Sequence, residues 1–563
     1  MHTMVFNPLQ DYENNLKAAH EASTGQRFEA LTQSSGINVE ENRASVKEYD
    51  AQKAKSDQLQ GKVSGLKGLR VALIVGIVLA AVAAVVGFLL EMPLLGIGAI
   101  VVAIGLLLVI LLLLNPKIKN EAKLLEEELA KTLQLLQICR EQMAALNALV
   151  SMEDGLDLVE KTLPSLKFQP NYALLQEKDM LQNYDFPEYD DQERSILDTL
   201  CGTYNGNPFL FETHLQHTMG TETYHGSLTI RWTERYTDSK GHRRTRTRSQ
   251  TLHASVTKPK PFYSTETKLY YGAQASPDLS FSRLNLHHED KTERQLKATI
   301  RKGEKKLQDM EEDALEKNKS FTGMANTQFE VLFGALNRNH ETQFRLLFTP
   351  LAQTNMVDLI LSETGYGDDF DFYKRSRMNT IVSEHIQGRS LRLDARKLCS
   401  HSYDICKENF LRENAEYFRS LYFDLAPLLA IPAYQDPPVH SLDPLPPYEP
   451  QYSVREYEVL ANAMDASLVC HPKTKTQSIL KTVHTAVEDD CSTVSVTAYS
   501  YDMLPRTDFV PKLGGDGRIH SVPVHWQEYV PLQDVHHMTV SSNPQTDANA
   551  HMHQLYARLL PNE

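Results

Sequence analysis

Polar and apolar positions along this chain change period several times, and each change predicts a different element. From Val71 to Leu90 and from Pro93 to Leu114 there is no charged or strongly polar side chain. Each run reaches the ~20 residues that a helix needs to cross ~30 Å of hydrocarbon. The pattern predicts a hairpin of two transmembrane helices, at 69–90 and 94–114, turning at Glu91. Gly76, Ala80 and Ala84 recur at every fourth position and Ala83 with Gly87 forms a second ridge, so another helix can approach closely. Lys62, Lys67 and Arg70 precede the pair, and Lys117, Lys119 and Lys123 follow it. The positive-inside bias therefore places both flanks and both termini in the cytoplasm, with two spans in the cell membrane. Residues 69–114 make the lipid bilayer the first expected partner. No ionisable group lies inside either run, which removes the usual sign of a transport pathway.

Beyond the apolar runs the period becomes three and four. Ile118, Ala122, Leu125, Leu129, Thr132, Leu136, Cys139, Met143, Leu146 and Val150 have the spacing of a coiled-coil seam, which predicts a long helix over 116–165. Residues 1–67 predict an N-terminal helical stalk, broken at Ser34-Ser35-Gly36 and restarted at Asn38, with Glu41 at capping-box spacing. An upright pair of ~45-residue helices would stand ~70 Å high. The alternative is that these helices fold back onto a globular body.

Period two takes over in 195–285, which predicts an antiparallel β domain. Leu228, Ile230 and Trp232 fall on one face and Thr229, Arg231 and Thr233 on the other. The turn Asp238-Ser239-Lys240-Gly241 then leads to Arg244-Thr245-Arg246-Thr247-Arg248 and on to Leu252, Ala254 and Val256, the pattern of a long hairpin. Residues 288–320 predict a charged helical arm with Leu296, Ile300, Gly303, Leu307, Met310 and Ala314 as its seam. Residues 326–431 predict a helical domain, with Leu411, Ala415, Phe418, Tyr422 and Leu425 on one helix face. The prolines of 432–450 predict a linker, and 451–563 a small α+β domain with a helix near 453–465 and strands near 493–500 and 519–530. The expected fold class is an α+β membrane protein.

Charge and cysteine usage narrow the function classes. A net charge of -14 over 563 residues argues against a general nucleic-acid binder, which needs a basic surface to displace counterions. The 6 cysteines lack framework spacing and fit a reducing setting. Residues 1–60 contain no apolar core of a signal peptide, so the first apolar helix is expected to serve as its own targeting signal.

The strings HGSLTIRWTERY at 225–236, TLHASVTKPKPF at 251–262 and NTQFEVLFGALNRNHETQFRLLFTPLAQ at 326–353 resemble segments of large, uncharacterised bacterial membrane proteins with a two-helix membrane hairpin. The resemblance implies a bacterial source and a shared architecture. It carries no functional residue.

Candidate chemistry is sparse. The chain has no GxxxxGK[ST] loop, GxGxxG, GxSxG elbow, HExxH or CxxC pair, so an ordinary ATPase, esterase or zinc protease is disfavoured and no cofactor is implied. Asp368, Asp369 and Asp371 could hold a divalent cation, or supply a general base if His340 or His385 folds nearby; a solvated loop capping a helix is the plainer alternative. Cys399, His401, Cys406, Cys470 and His471 match no paired zinc spacing, and the histidines at 520, 525, 536, 537, 551 and 553 suit chance clustering, so no metal site is assigned.

Arg231, Arg235, Lys240, Arg243, Arg244, Arg246 and Arg248 are opposed locally only by Glu234 and Asp238. Arginines at alternating positions should line one sheet face suited to phosphate or carboxylate groups, or else form a solvated edge that discourages aggregation. The sequence thus favours a cytosol-facing membrane scaffold or binding protein over an enzyme, with a protein partner or second copy and an anionic ligand at the basic hairpin. The alternative is a membrane-tethered, metal-dependent enzyme using the three aspartates.

Overall fold

The computed structural model describes residues 5–90, 92–169, 171–188, 192–237, 242–317, 321–438, 452–488, 491–542 and 555–559. The fold is α+β with two antiparallel sheets. It divides into two compact units, one of Met1–His20, Glu153–Leu393 and Glu416–Glu563, the other of Glu21–Met152 and Asp394–Ala415.

The second unit is built on a helical hairpin. One helix, Val39–Leu89, lies antiparallel to Pro93–Leu108 and Asn115–Leu149, which are joined by a π-helical turn at Val109–Leu114. A single register runs the length of the pair. Asn42 donates to Gln142 at 3.4 Å, Thr132 reaches Ser56 at 3.4 Å, and Gly76 faces Leu106. At the turn, a Cβ on Gly87 would lie 2.9 Å from the backbone nitrogen of Gly96, so only glycine permits this approach.

Asn42, Tyr49, Ser56 and Val63 recur every seventh residue and are buried, as are Ile118, Thr132, Cys139 and Leu146 opposite them. Polar layers in such a seam fix register at some cost in stability. Leu129, expected in the seam, is exposed instead, because Glu128 turns inward to accept from Gln52.

The expected 116–165 helix ends at Leu149, and a separate helix, Glu153–Thr162, belongs to the first unit. The N-terminal break occurs as expected: Gly36 adopts a φ of 64°, and the Asn38 side chain accepts from the Glu41 amide at 3.2 Å. From Val39 to Arg70 the helix rises about 48 Å, less than the ~70 Å expected, because the chain before Gly36 is a separate helix, Lys17–Ser35.

In the first unit a seven-stranded sheet has the order β1-β2-β3-β4-β7-β6-β5, with β1 Leu166–Gln169, β2 Arg194–Tyr204, β3 Asn207–Thr237, β4 Arg243–Gly272, β5 Ser280–Arg283, β6 Phe370–Arg375 and β7 Met378–Ser383. A four-stranded sheet, β11-β10-β9-β8, comprises β8 Ile479–Glu488, β9 Cys491–Leu513, β10 Ile519–Ser542 and β11 Leu555–Leu559. The expected separation of a β domain from a helical domain at 326–431 does not hold, since β6 and β7 join the larger sheet. Phe281, Phe329, Phe333, Phe344, Phe348 and Phe372 pack across that junction into one core.

The helix Glu293–Glu316 is not a free arm. Its Leu296 and Ile300 pack on the core, and Gly303 lets Val331 come so close that a Cβ would meet it at 2.4 Å. The beginning of the proline-rich segment is likewise buried core. Gln435 there bonds both ways with the Val5 backbone, at 2.8 and 2.7 Å; residues 439–450 lie outside the described residues.

Beyond the core, β3 and β4 continue as a two-stranded ribbon, and β9 with β10 forms a second one packed on it. Ile230, Leu252 and Ala254 meet Val522 and Val524 between the two layers. Gly226 makes that contact possible, because a Cβ there would lie 2.1 Å from the Pro523 carbonyl oxygen.

Candidate functional site

The register of β3 against β4 decides where the arginines point. Trp232 pairs with Arg248, Glu234 with Arg246 and Tyr236 with Arg244, so these six share one face. Arg231 pairs with Ser249, Arg235 with Thr245 and Thr237 with Arg243, which puts those three arginines on the opposite face. The expected single arginine face is therefore two faces of three. Lys240 lies outside the described residues.

The two faces differ in charge balance. On the Trp232 face, Glu234 accepts from Arg246 at 2.8 Å and lies 2.6 Å from Arg248, while the Arg246 guanidinium sits 5.3 Å over the Tyr236 ring. Such half-exposed pairs contribute little stability, but they occupy the cations. On the other face no acidic partner engages Arg231, Arg235 or Arg243 among the described residues. The β9–β10 turn ends at the level of Trp232, where the Gly515 amide donates to Gln250 at 2.7 Å.

The aspartate segment is neither a solvated loop nor a helix cap. It enters β6, and each carboxylate has its own protein partners. Asp368, fully buried, pairs with Arg283 and accepts from the Leu286 amide at 3.0 Å. Asp371 accepts from the Asn285 amide at 2.8 Å and the Tyr373 hydroxyl at 2.9 Å. Asp369 lies 2.5 Å from Nδ1 of His385, whose Nε2 is 3.5 Å from Asp424.

Tyr366 stacks on the His385 ring at 3.9 Å and 2°. Burial opposes a charged ring, yet Asp424 and Asp369 outweigh it and raise His385 to about 9. Burial raises Asp424 to about 6 against the pull of His385. His385 thus folds beside the aspartates as the sequence allowed, while His340 caps a different helix by accepting from the Gln343 amide at 3.3 Å.

Asp371 also lines an open polar cleft of about 510 Å³ with Glu266, Glu384, Gln216 and Asn285. The His214 ring, whose Nε2 lies 3.4 Å from the carboxylate, helped by Lys268, lowers Glu266 to about 2. Among the described residues, the group close enough to hold an ion is His287, Glu289 and Asp290, at the surface; it excludes all three expected aspartates.

Cys399 and Cys406 come together at Asn147, but among the described residues no metal-holding group includes a cysteine. Cys406 donates to the Leu398 carbonyl at 3.3 Å, Cys470 to Ser478 at 3.2 Å, and His520 pairs with Asp516 at 3.0 Å. His551 and His553 lie outside the described residues.

The sequence reasoning missed the composition of the second arginine face, although its signal was in plain view. Thr221, Thr223, Thr229 and Thr233 share the odd-numbered positions of β3 with Arg231 and Arg235. No family model, curated protein or solved structure matches this chain.

Proposed function

We propose that the chain is a membrane-anchored, cytosol-facing binding protein, held by the apolar half of its helical hairpin and engaging an anionic partner through the β3–β4 ribbon. The observation that carries the anchor is how little of the apolar helices is covered: only 6% and 11% of their most hydropathic windows are buried. A soluble core helix would be covered by its neighbours.

The two flanks of the hairpin also share one folded core. Tyr12 stacks on Tyr422 at 5.4 Å, and the Tyr422 hydroxyl donates to the Pro8 carbonyl at 2.9 Å, so residues before and after the hairpin belong on the same side of a bilayer. The flanking lysines favour the cytoplasmic side. The binding role rests on the concentration of arginines at the ribbon.

Two experiments test this reading. Membrane-impermeant maleimide applied to intact cells is expected to label Glu91→Cys and to spare Thr233→Cys; the reverse pattern overturns the topology. Deleting residues 233–247 is expected to remove partners recovered from native membranes while the core stays folded. Unchanged recovery overturns the binding role.

A further inference from the structure

The arginine face left without acidic partners has a composition of its own. From Thr221 to Thr237 on β3 and from Arg243 to Thr257 on β4, every side chain on that face is threonine, serine, histidine or arginine. All of these can donate a hydrogen bond, and the odd-numbered positions that carry them are exposed throughout. Among the described residues, the acids of the ribbon, Glu222 and Glu234, are on the other face. In a chain of net charge -14, the described residues of this face carry no acid.

We propose that this face binds the phosphate backbone of a nucleic-acid duplex, which rests on the reading of the ribbon as the anion-binding element and names its partner. Arginine, serine and threonine are the side chains that reach phosphate oxygens in such complexes. The hydroxyls are aligned for it. Thr223 pairs with Thr257 at 3.0 Å and Thr229 with Thr251 at 3.0 Å, and each pair uses one proton internally and leaves one to donate outward.

Shape supports the same partner. Past Trp232 the second ribbon no longer covers the first, so about five residues per strand, roughly 17 Å, stand as a bare two-stranded ribbon. A two-stranded ribbon fits the ~12 Å major groove of a duplex. The global charge that argues against nucleic acid is an average, whereas counterion release depends on the cations facing the phosphates.

Other anionic partners fit less well. The face offers no phenylalanine, tyrosine or tryptophan for stacking unpaired bases and no apolar side chain to enter lipid. An acidic peptide added as a strand would need edge amides, and Pro259 and Pro261 remove donors from the β4 edge.

The test uses full-length protein in zwitterionic nanodiscs and the fluorescence anisotropy of a labelled DNA duplex of arbitrary sequence. The triple substitution Arg231→Gln, Arg235→Gln and Arg243→Gln is expected to weaken binding on the order of tenfold at low salt and to reduce the log–log salt slope by roughly 2–3. The triple Arg244→Gln, Arg246→Gln and Arg248→Gln on the paired face should change affinity less than about threefold, because Glu234 already holds two of its cations.

Circular dichroism confirms that each variant folds. Absence of duplex binding by the unmodified protein, equal losses in the two triples, or better competition by single strands, acidic peptide or anionic vesicles each overturns the proposal. Should duplex binding be absent while deletion of 233–247 still removes a recovered partner, the duplex inference falls and the binding role stands. If neither responds, both fall.

Discussion

The chain contains two long hairpins, one of helices and one of strands, and they solve opposite problems. In the helical hairpin every backbone hydrogen bond closes within its own helix, so an apolar surface can be left bare toward lipid without exposing unsatisfied amides. The strand ribbon satisfies only one side of each strand and leaves two edges open, which suits water and not hydrocarbon. Their surfaces follow. Val82 and Ile104 are more than half exposed on one hairpin, and threonines and arginines line the other. Both, however, bring backbones together at a glycine, Gly87 on Gly96 in the helices and Gly226 on Pro523 between the ribbons.

The largest effect is expected where the comparison is sharpest. Val82→Arg with Ile104→Arg should cost roughly 2.5–3.5 kcal/mol at each position if these helices lie in lipid, and carbonate extraction should then release the protein. Retention at the unmodified level would break the contrast between the hairpins. Next is Gly226→Val, which forces the two ribbons apart; a loss of about 3 kcal/mol in thermal unfolding and new protease cleavage within 217–262 are expected. Gly25→Ala, with nothing within 4 Å and inside the helix Lys17–Ser35, is its control and should stabilise by roughly 0.5–1 kcal/mol.

A third experiment asks whether the ribbon melts with the core it grows from. His385 is raised from 6.5 to about 9, so its contribution is complete below pH 6.5 and is lost as pH rises through 9. A fall of about 3 kcal/mol across that window is expected, and His385→Gln should flatten it. Asp424, raised from 3.8 to about 6, loses its share earlier, as pH climbs between those values. A flat profile in the unmodified protein would refute the charged imidazole. The smallest effect belongs to Arg246→Gln, whose exposed pairing with Glu234 should be worth less than about 0.5 kcal/mol by chemical denaturation.

The elements visible in the sequence were those whose pattern is local. Two apolar runs without a polar interruption and the alternation at Leu228, Ile230 and Trp232 each carry their own period. The short strands β6 and β7 do not, because they are set between helices and gain their stability from β4 and β5, far away in the chain. The arginine faces fall between these cases. Parity along one strand was legible, but matching it across the ribbon requires the register, which the turn sets, and a one-residue slip would exchange the faces of a whole strand. The ion pair of Asp368 with Arg283 and the His385 network are products of tertiary folding, with no spacing that announces them.

Val5 bonded to Gln435 has a consequence for the order of events on the ribosome. Val5 must wait for a segment made 430 residues later before the core around it can close. At about 5–20 residues per second, translation from the end of the helical hairpin to Gln435 occupies roughly 15–60 s. Throughout that interval the hairpin is already synthesised while Val5, Tyr12 and their neighbours remain unpaired apolar surface. Under the proposed anchoring, membrane integration precedes globular folding, and the nascent chain is tethered near its N-terminal end during the period when it is most exposed to aggregation.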